Sequence, residues 1–173
     1  MQRNKTRRLA LSALLVALML ILGYLESLIP VGTIPGIKLG LSNSVLLLAI
    51  YWLGIPLSFC LMVVKVVLSG LLFSGVNAMM YSFAGGFLSM IVMSALYKAG
   101  GFSPVVTGIA GGVFHNVGQV GLAIIILKTN KLVYYMAILM FIGILTGFAT
   151  GTIAKLLMNR LPENLRPDHR KDS

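Results

Sequence analysis

Between Met1 and Pro162 the chain carries one acidic residue, Glu26, and long apolar runs separate its few other polar groups. A soluble domain needs a charged surface. A chain that is 58% hydrophobic and 10% charged, with mean hydropathy +0.95, cannot build one. The solvent it suits is a bilayer, where only helices and closed barrels satisfy their own backbone, and its runs have helical length. The expected fold class is therefore all-α, a polytopic membrane helical bundle. The scarcity of acids also limits the chemistry. A Mg²⁺-dependent phosphate or diphosphate enzyme holds its metal with several carboxylates, and no aspartate precedes Asp168. We expect no enzyme activity, no cofactor and no metal site.

Six apolar segments can be drawn: Leu9–Ile29, Leu41–Leu53, Leu57–Phe73, Asn77–Tyr97, Ser103–Leu127 and Leu132–Met158. The second is short for a crossing that needs about 20 residues, so it is expected to tilt little or to begin inside protein. Turns are expected at Gly54-Ile55-Pro56, Ser74-Gly75-Val76, Lys98 to Gly101 and Lys128 to Lys131, and a longer Gly/Pro-rich connection at Pro30–Gly40. The domain plan is a basic N-terminus, residues 1–8, a transmembrane domain, 9–158, and a polar tail, 159–173. The basic start followed by an apolar run imitates a signal peptide. No convincing small-x-small cleavage site follows, and the rest is equally apolar, so a first membrane helix is the stronger reading.

The net charge of +10 invites a nucleic-acid partner, but the basic residues cluster at the two chain ends and the aromatics lie inside apolar runs. Membrane topology explains the charge better. With both termini in the cytoplasm, ten of the fourteen basic residues fall on the inner side of a multi-pass cell-membrane protein in contact with lipid. Cys60 is alone in an apolar run, which leaves packing as its role.

The polar groups that remain are costly. Lys65, in FCLMVVKVVLSGLLF, costs about 2.5 kcal/mol or more at mid-bilayer and so is expected to face a bundle interior or cavity. It either pairs with Glu26 or recognises an anion or carbonyl. In GGVFHNVGQVG, His115 and Gln119 share a helix face with Asn116 adjacent, and Gly111, Gly112 and Gly118 clear space. Interhelical hydrogen bonding and a ligand pocket both account for them; one histidine without a second ligand makes a poor metal site. Asn43 and Asn77 open two segments near the outer face, as helix N-caps or as site residues. Pro30–Gly40 suits a lid over a site open to the outside, with Lys38 drawing an anionic group. Ala10, Ala13 and Ala17 mark one face of the first helix for contact with another protein. Gly143, Gly147 and Gly151, with Gly108 and Gly112, let helices approach closely, within the bundle or against a partner, and Gly85-Gly86 interrupts the fourth segment. There is no P-loop, no acid pair, no Ser/His/Asp set and no Cys/His cluster. Uphill movement of a ligand would draw its energy from a partner or an ion gradient.

GIKLGLSN (Gly36 to Asn43), YSFAGGFLSMIVM (Tyr81 to Met93) and GGVFHNVGQ (Gly111 to Gln119) resemble the bacterial proteins called heptaprenyl diphosphate synthase component I, or the Gx transporter family, over about Leu9 to Leu157. Those proteins are similar in size and hydropathy to the substrate-binding S components of energy-coupling-factor (ECF) transporters. The resemblance implies six helices, an outward lid matched here by Pro30–Gly40, and an alanine-x-x-x-alanine motif matched by Ala13 and Ala17. That motif meets a coupling transmembrane subunit driven by cytoplasmic ATPases. Where the family typically carries arginine in the third helix, Lys65 stands here, which keeps a point charge and gives up bidentate recognition. The implied site is lined by Lys38, Asn43, Lys65, Asn77, Tyr81, His115, Asn116 and Gln119, for a small vitamin-, flavin-, quinone- or isoprenoid-precursor-like ligand, with Ala10, Ala13 and Ala17 as the docking face. The synthase label fits a chain without an aspartate-rich motif only as a non-catalytic membrane partner of a prenyl diphosphate or quinone-pathway complex, and that is the alternative reading.

Overall fold

Most of the apolar runs break where glycine permits a backbone that L-residues disfavour, and the fifth ends at Lys128, itself left-handed (φ +48°). In the computed structural model, which describes residues 2–28, 38, 40–129 and 131–160, Gly54 (φ +84°), Gly75 (φ +79°), Gly100 (φ +68°) and Gly101 (φ +74°) lie at the joints. The helices are α1 Gln2–Ser27, α2 Asn43–Leu53, α3 Ile55–Ser69, α4 Gly75–Ala99, α5 Pro104–Leu127 and α6 Leu132–Arg160; a π-helical turn, Gly70–Ser74, carries α3 on to Gly75. No strand occurs among the described residues. Pro56 and Pro104 sit in the first turns of α3 and α5, where a missing N–H costs nothing, and Ser103 caps α5 by accepting the Val106 N–H at 3.3 Å. Gly85 and Gly86 do not interrupt the fourth segment as expected, because α4 is continuous through them.

The apolar stretch Ile55–Ala99 is 45 residues long and forms a hairpin about Gly75. Phe59 meets Phe87 edge-on with ring centroids 6.0 Å apart, Met62 lies beside Gly86, and Gly70 beside Met79. Its arms, Ile55–Ser74 and Gly75–Ala99, are about 30 and 37 Å long at 1.5 Å per residue, enough to cross a hydrocarbon core of about 30 Å. With α1, α5 and α6 they make five long apolar helices suited to a membrane bundle. α2 is different. Its eleven residues span about 16 Å, half the core, and nearly all of them are buried. Gly40, just before it, packs on the ring of His115, halfway along α5. The second segment therefore begins inside the protein.

Close backbone approach joins α5 to α6: Gly112 meets Gly143, Gly108 meets Gly147, and Gly151 meets Val105. The glycine stripes thus serve the bundle's own interior. The rest of the core centres on α2, with Leu15 and Met19 of α1, Met62 and Val66 of α3, and Met90 and Met93 of α4. Leucines, isoleucines and phenylalanines cover the outside, whereas Glu26, Lys38, Lys65, His115, Asn116 and Gln119 are buried. Cys60 is on the outer face rather than packed within.

Two ring contacts, Tyr24 to Phe73 (5.5 Å) and Tyr51 to Tyr97 (4.9 Å), fix the direction of α1 and α2 relative to the hairpin. The starts of α1, α3 and α5 and the ends of α2, α4 and α6 share one end of the bundle. That end carries Lys5, Arg7, Arg8, Lys98, Lys155 and Arg160; the other carries Lys38, Lys128 and Lys131.

Candidate functional site

One turn separates His115 from Gln119, so both side chains leave α5 on the same face, toward Gly85 of α4. A Cβ at Gly85 would lie 2.7 Å from Gln119 Cγ and 2.9 Å from His115 Nδ1, so only glycine admits both side chains. Asn116, one residue on from His115, points the other way and ties α5 to α6: its Nδ2 donates to the Leu139 carbonyl at 2.6 Å.

Gln119 clasps the chain that leads into α2. Its Oε1 accepts the Lys38 backbone N–H at 3.0 Å and its Nε2 donates to the Lys38 carbonyl at 2.9 Å. An amide is the side chain that can both accept from and donate to one residue's backbone, and it satisfies extended backbone that lipid-like surroundings would leave unpaired. The Lys38 ammonium donates to Ser74 Oγ at 2.6 Å and lies 5.2 Å from the centre of the Phe73 ring. Replacing Gln119 with leucine removes both bonds and leaves a buried N–H and carbonyl behind. We expect a loss of about 2–4 kcal/mol in stability, read by chemical unfolding in detergent; a loss under about 0.5 kcal/mol would show that the clasp is dispensable.

Glu26, in the last turn of α1, turns inward and accepts the Leu41 N–H, with Ser42 Oγ at 3.5 Å from its second oxygen. It thereby places a carboxylate at the positive end of α2, whose own N-cap, Ser42, makes no side-chain cap. Of the two alternatives left open for Lys65, the one with Glu26 takes the form of electrostatic reach: Lys65 and Lys38 both act on the carboxylate, whose hydrogen bonds go to the start of α2. Lys65 sits midway along the first hairpin arm, 7% exposed, and its ammonium makes no hydrogen bond to a described residue. Close by, Asn43 Nδ2 and His115 Nδ1 are buried without a well-formed hydrogen bond, as is Ser89 Oγ; the Asn43 and His115 side chains meet beside Gly40, where a Cβ would lie 3.2 Å from Asn43 Nδ2 and 2.9 Å from His115 Cδ2.

Of the expected site residues, Lys38, Asn43, Lys65, Tyr81, His115, Asn116 and Gln119 are buried. Asn77 is exposed near the start of α4, apart from the cluster, and neither it nor Asn43 is an N-cap; Ser74 and Ser42 hold those positions. Residues 29–37 and 39 of the expected lid lie outside the described residues, as does most of the polar tail. The two lid residues that are described, Lys38 and Gly40, are buried inside the bundle. Ala10, Ala13 and Ala17 are exposed along α1. Sequence reasoning missed the capping by Glu26 and the seat of Lys38 on Ser74 and Phe73. The solitary acid signalled the first; nothing in the sequence signalled the second.

The described residues contain no group of three or more His, Cys, Asp or Glu able to hold a metal. What the cluster offers is hydrogen-bond donors and positive charge in a low-dielectric interior. Neither curated proteins nor solved structures gave a match to this chain. A family model described as heptaprenyl diphosphate synthase component I matches residues 15–157, and by that match the chain belongs to the heptaprenyl diphosphate synthase component I family.

Proposed function

We propose that this chain is the substrate-binding subunit of an energy-coupling-factor-type uptake transporter, holding a small vitamin-, flavin-, quinone- or isoprenoid-precursor-like molecule in the cluster around Lys65. The supporting observation is a group of buried polar atoms short of well-formed hydrogen bonds among the described residues: the Lys65 ammonium and Asn43 Nδ2, with the His115 ring beside them. Buried donors are costly when unpaired, so a ligand ending in a carboxylate, phosphate or carbonyl is the complement. The basic end of the bundle faces the cytoplasm by the positive-inside rule, which opens the Ser74 end outward, in the cell membrane. On this reading the chain catalyses no reaction.

Transport then needs partners. Ala10, Ala13 and Ala17 leave a shallow, exposed strip on α1 that fits close approach by a helix of a coupling transmembrane subunit, and cytoplasmic ATPases supply the energy. Replacing Ala13 and Ala17 with leucine is expected to abolish uptake in cells while ligand binding by the purified chain is unchanged. Uptake at the unsubstituted rate would remove the docking face from the proposal. Native mass spectrometry of the purified chain, seeking a retained small molecule, tests the binding role itself.

One observation favours a second reading. Gln119 with Lys38, Asn116 with Leu139, and Glu26 with Leu41 are polar pairs closed within the chain, as in a purely structural bundle. On that reading the chain is a non-catalytic membrane subunit of a prenyl diphosphate or quinone-pathway complex, without a ligand of its own.

A further inference from the structure

A groove of about 700 Å³ runs between α3 and α4 at the basic end of the bundle, lined by none of the residues of the Lys65 cluster. Its walls are Ile55, Phe59, Met90 and Ile91, and Phe59 and Ile91 are exposed on the surface that lipid would cover. The polar groups are ordered along it. Lys98, exposed in the last turn of α4, stands at the mouth, and Ser94 lies one turn deeper on the same face, about 6 Å along the axis. Serines in membrane helices normally satisfy their hydroxyl on their own helix. Ser58 and Ser69 do so here, at 2.7 and 3.1 Å, whereas the buried Ser94 hydroxyl has no partner.

We propose that this groove binds one anionic glycerophospholipid, with its phosphate on Lys98, an ester carbonyl accepting from Ser94, and an acyl chain against Phe59 and Met90. The order cation, donor, apolar trough matches the order phosphate, ester, chain in such a lipid. A prenyl diphosphate matches less well, because it has no ester for Ser94 and brings two phosphates to one ammonium. Charge supports an anionic headgroup. Lys5, Arg7, Arg8, Lys155 and Arg160 share this end, and no described acid does. The site is independent of any ligand at Lys65.

The test uses the full chain reconstituted in vesicles of equal parts phosphatidylglycerol and phosphatidylcholine, then extracted in mild detergent for native mass spectrometry. The unsubstituted chain is expected to retain one phosphatidylglycerol, at least fivefold over phosphatidylcholine. Lys98→Gln should abolish that preference, Ser94→Ala should lower retention of both lipids, and Ala95→Phe, which fills the groove from its rim, should lose the bound lipid. Lys131→Gln, at the opposite end, should match the unsubstituted chain, and thermal unfolding checks that each variant is folded. Equal retention of the two lipids, a preference surviving Lys98→Gln, a lipid count unchanged in Ala95→Phe, a prenyl diphosphate held in the lipid's place, or a second copy of the chain covering the groove would each overturn the proposal.

Discussion

Replacing Gly147 with leucine is expected to separate α6 from α5 and to destabilise the protein by about 3 kcal/mol or more, the upper range for overpacking. A Cβ at Gly147 would stand 2.6 Å from the Gly108 carbonyl oxygen and 2.6 Å from the Ile109 α-carbon. Both obstacles are backbone, so no rotamer change relieves the clash, and the helices must move apart. Separation also costs contacts along the whole seam, since Gly112 with Gly143 and Gly108 with Gly151 depend on the same spacing. In lipid no hydrophobic drive replaces them, because the exposed faces simply exchange one apolar neighbour for another. The Asn116 bond to Leu139, 2.6 Å long, would be strained as well. Gly121 is the control: a Cβ there meets nothing within 4 Å, so Gly121→Ala should change stability by under about 1 kcal/mol, in the stabilising direction given alanine's helix preference. Unfolding in graded denaturing detergent reads both. A Gly147→Leu chain as stable as the unsubstituted one would mean that the seam does not hold the bundle together.

That seam is legible in the sequence because small residues four apart leave a periodic mark, and the same periodicity puts His115 and Gln119 on one face. The helix breaks are legible too, since Gly54, Gly75 and Gly100 occupy conformations that other residues resist. What the pattern does not carry is what happens across helices. Gly85 and Gly86 look like an interruption in one dimension; in three, Gly85 is the space into which His115 and Gln119 project. Lys38 reads as a charge on a surface lid, yet its backbone is clasped deep in the bundle by a residue 81 positions away. Glu26 reads only as one possible partner for Lys65, and its hydrogen bonds in fact cap a helix that starts at half depth. Each of these depends on how a non-helical segment threads between helices, and hydropathy carries no information about threading.

Lys65→Met and His115→Phe separate a ligand-binding protein from a purely structural one. Where side chains are glue, removing one leaves its partner buried and unpaired, at a cost of about 1–3 kcal/mol; Gln119→Leu belongs to that class, since its two bonds to Lys38 are closed within the chain. Lys65 makes no hydrogen bond to a described residue, and His115 Nδ1 makes no well-formed one. Removing the Lys65 ammonium strands no hydrogen-bonded partner, and the Glu26 carboxylate keeps the Leu41 N–H and the nearby Lys38 charge, so the empty protein should lose under about 1 kcal/mol. The change should appear only with ligand. A small molecule retained by the unsubstituted chain, supplied at 100 times its dissociation constant, would stabilise a folded site by about 2.7 kcal/mol. In Lys65→Met that increment should vanish, and in His115→Phe it should fall by at least half, measured as the shift in thermal midpoint with and without the molecule. Two outcomes would count against a site at Lys65: both variants losing about 2 kcal/mol in the empty state, which favours the structural reading, or the increment surviving intact in both. The first would reveal partners for Lys65 and His115 within the chain, and the second would place the ligand elsewhere.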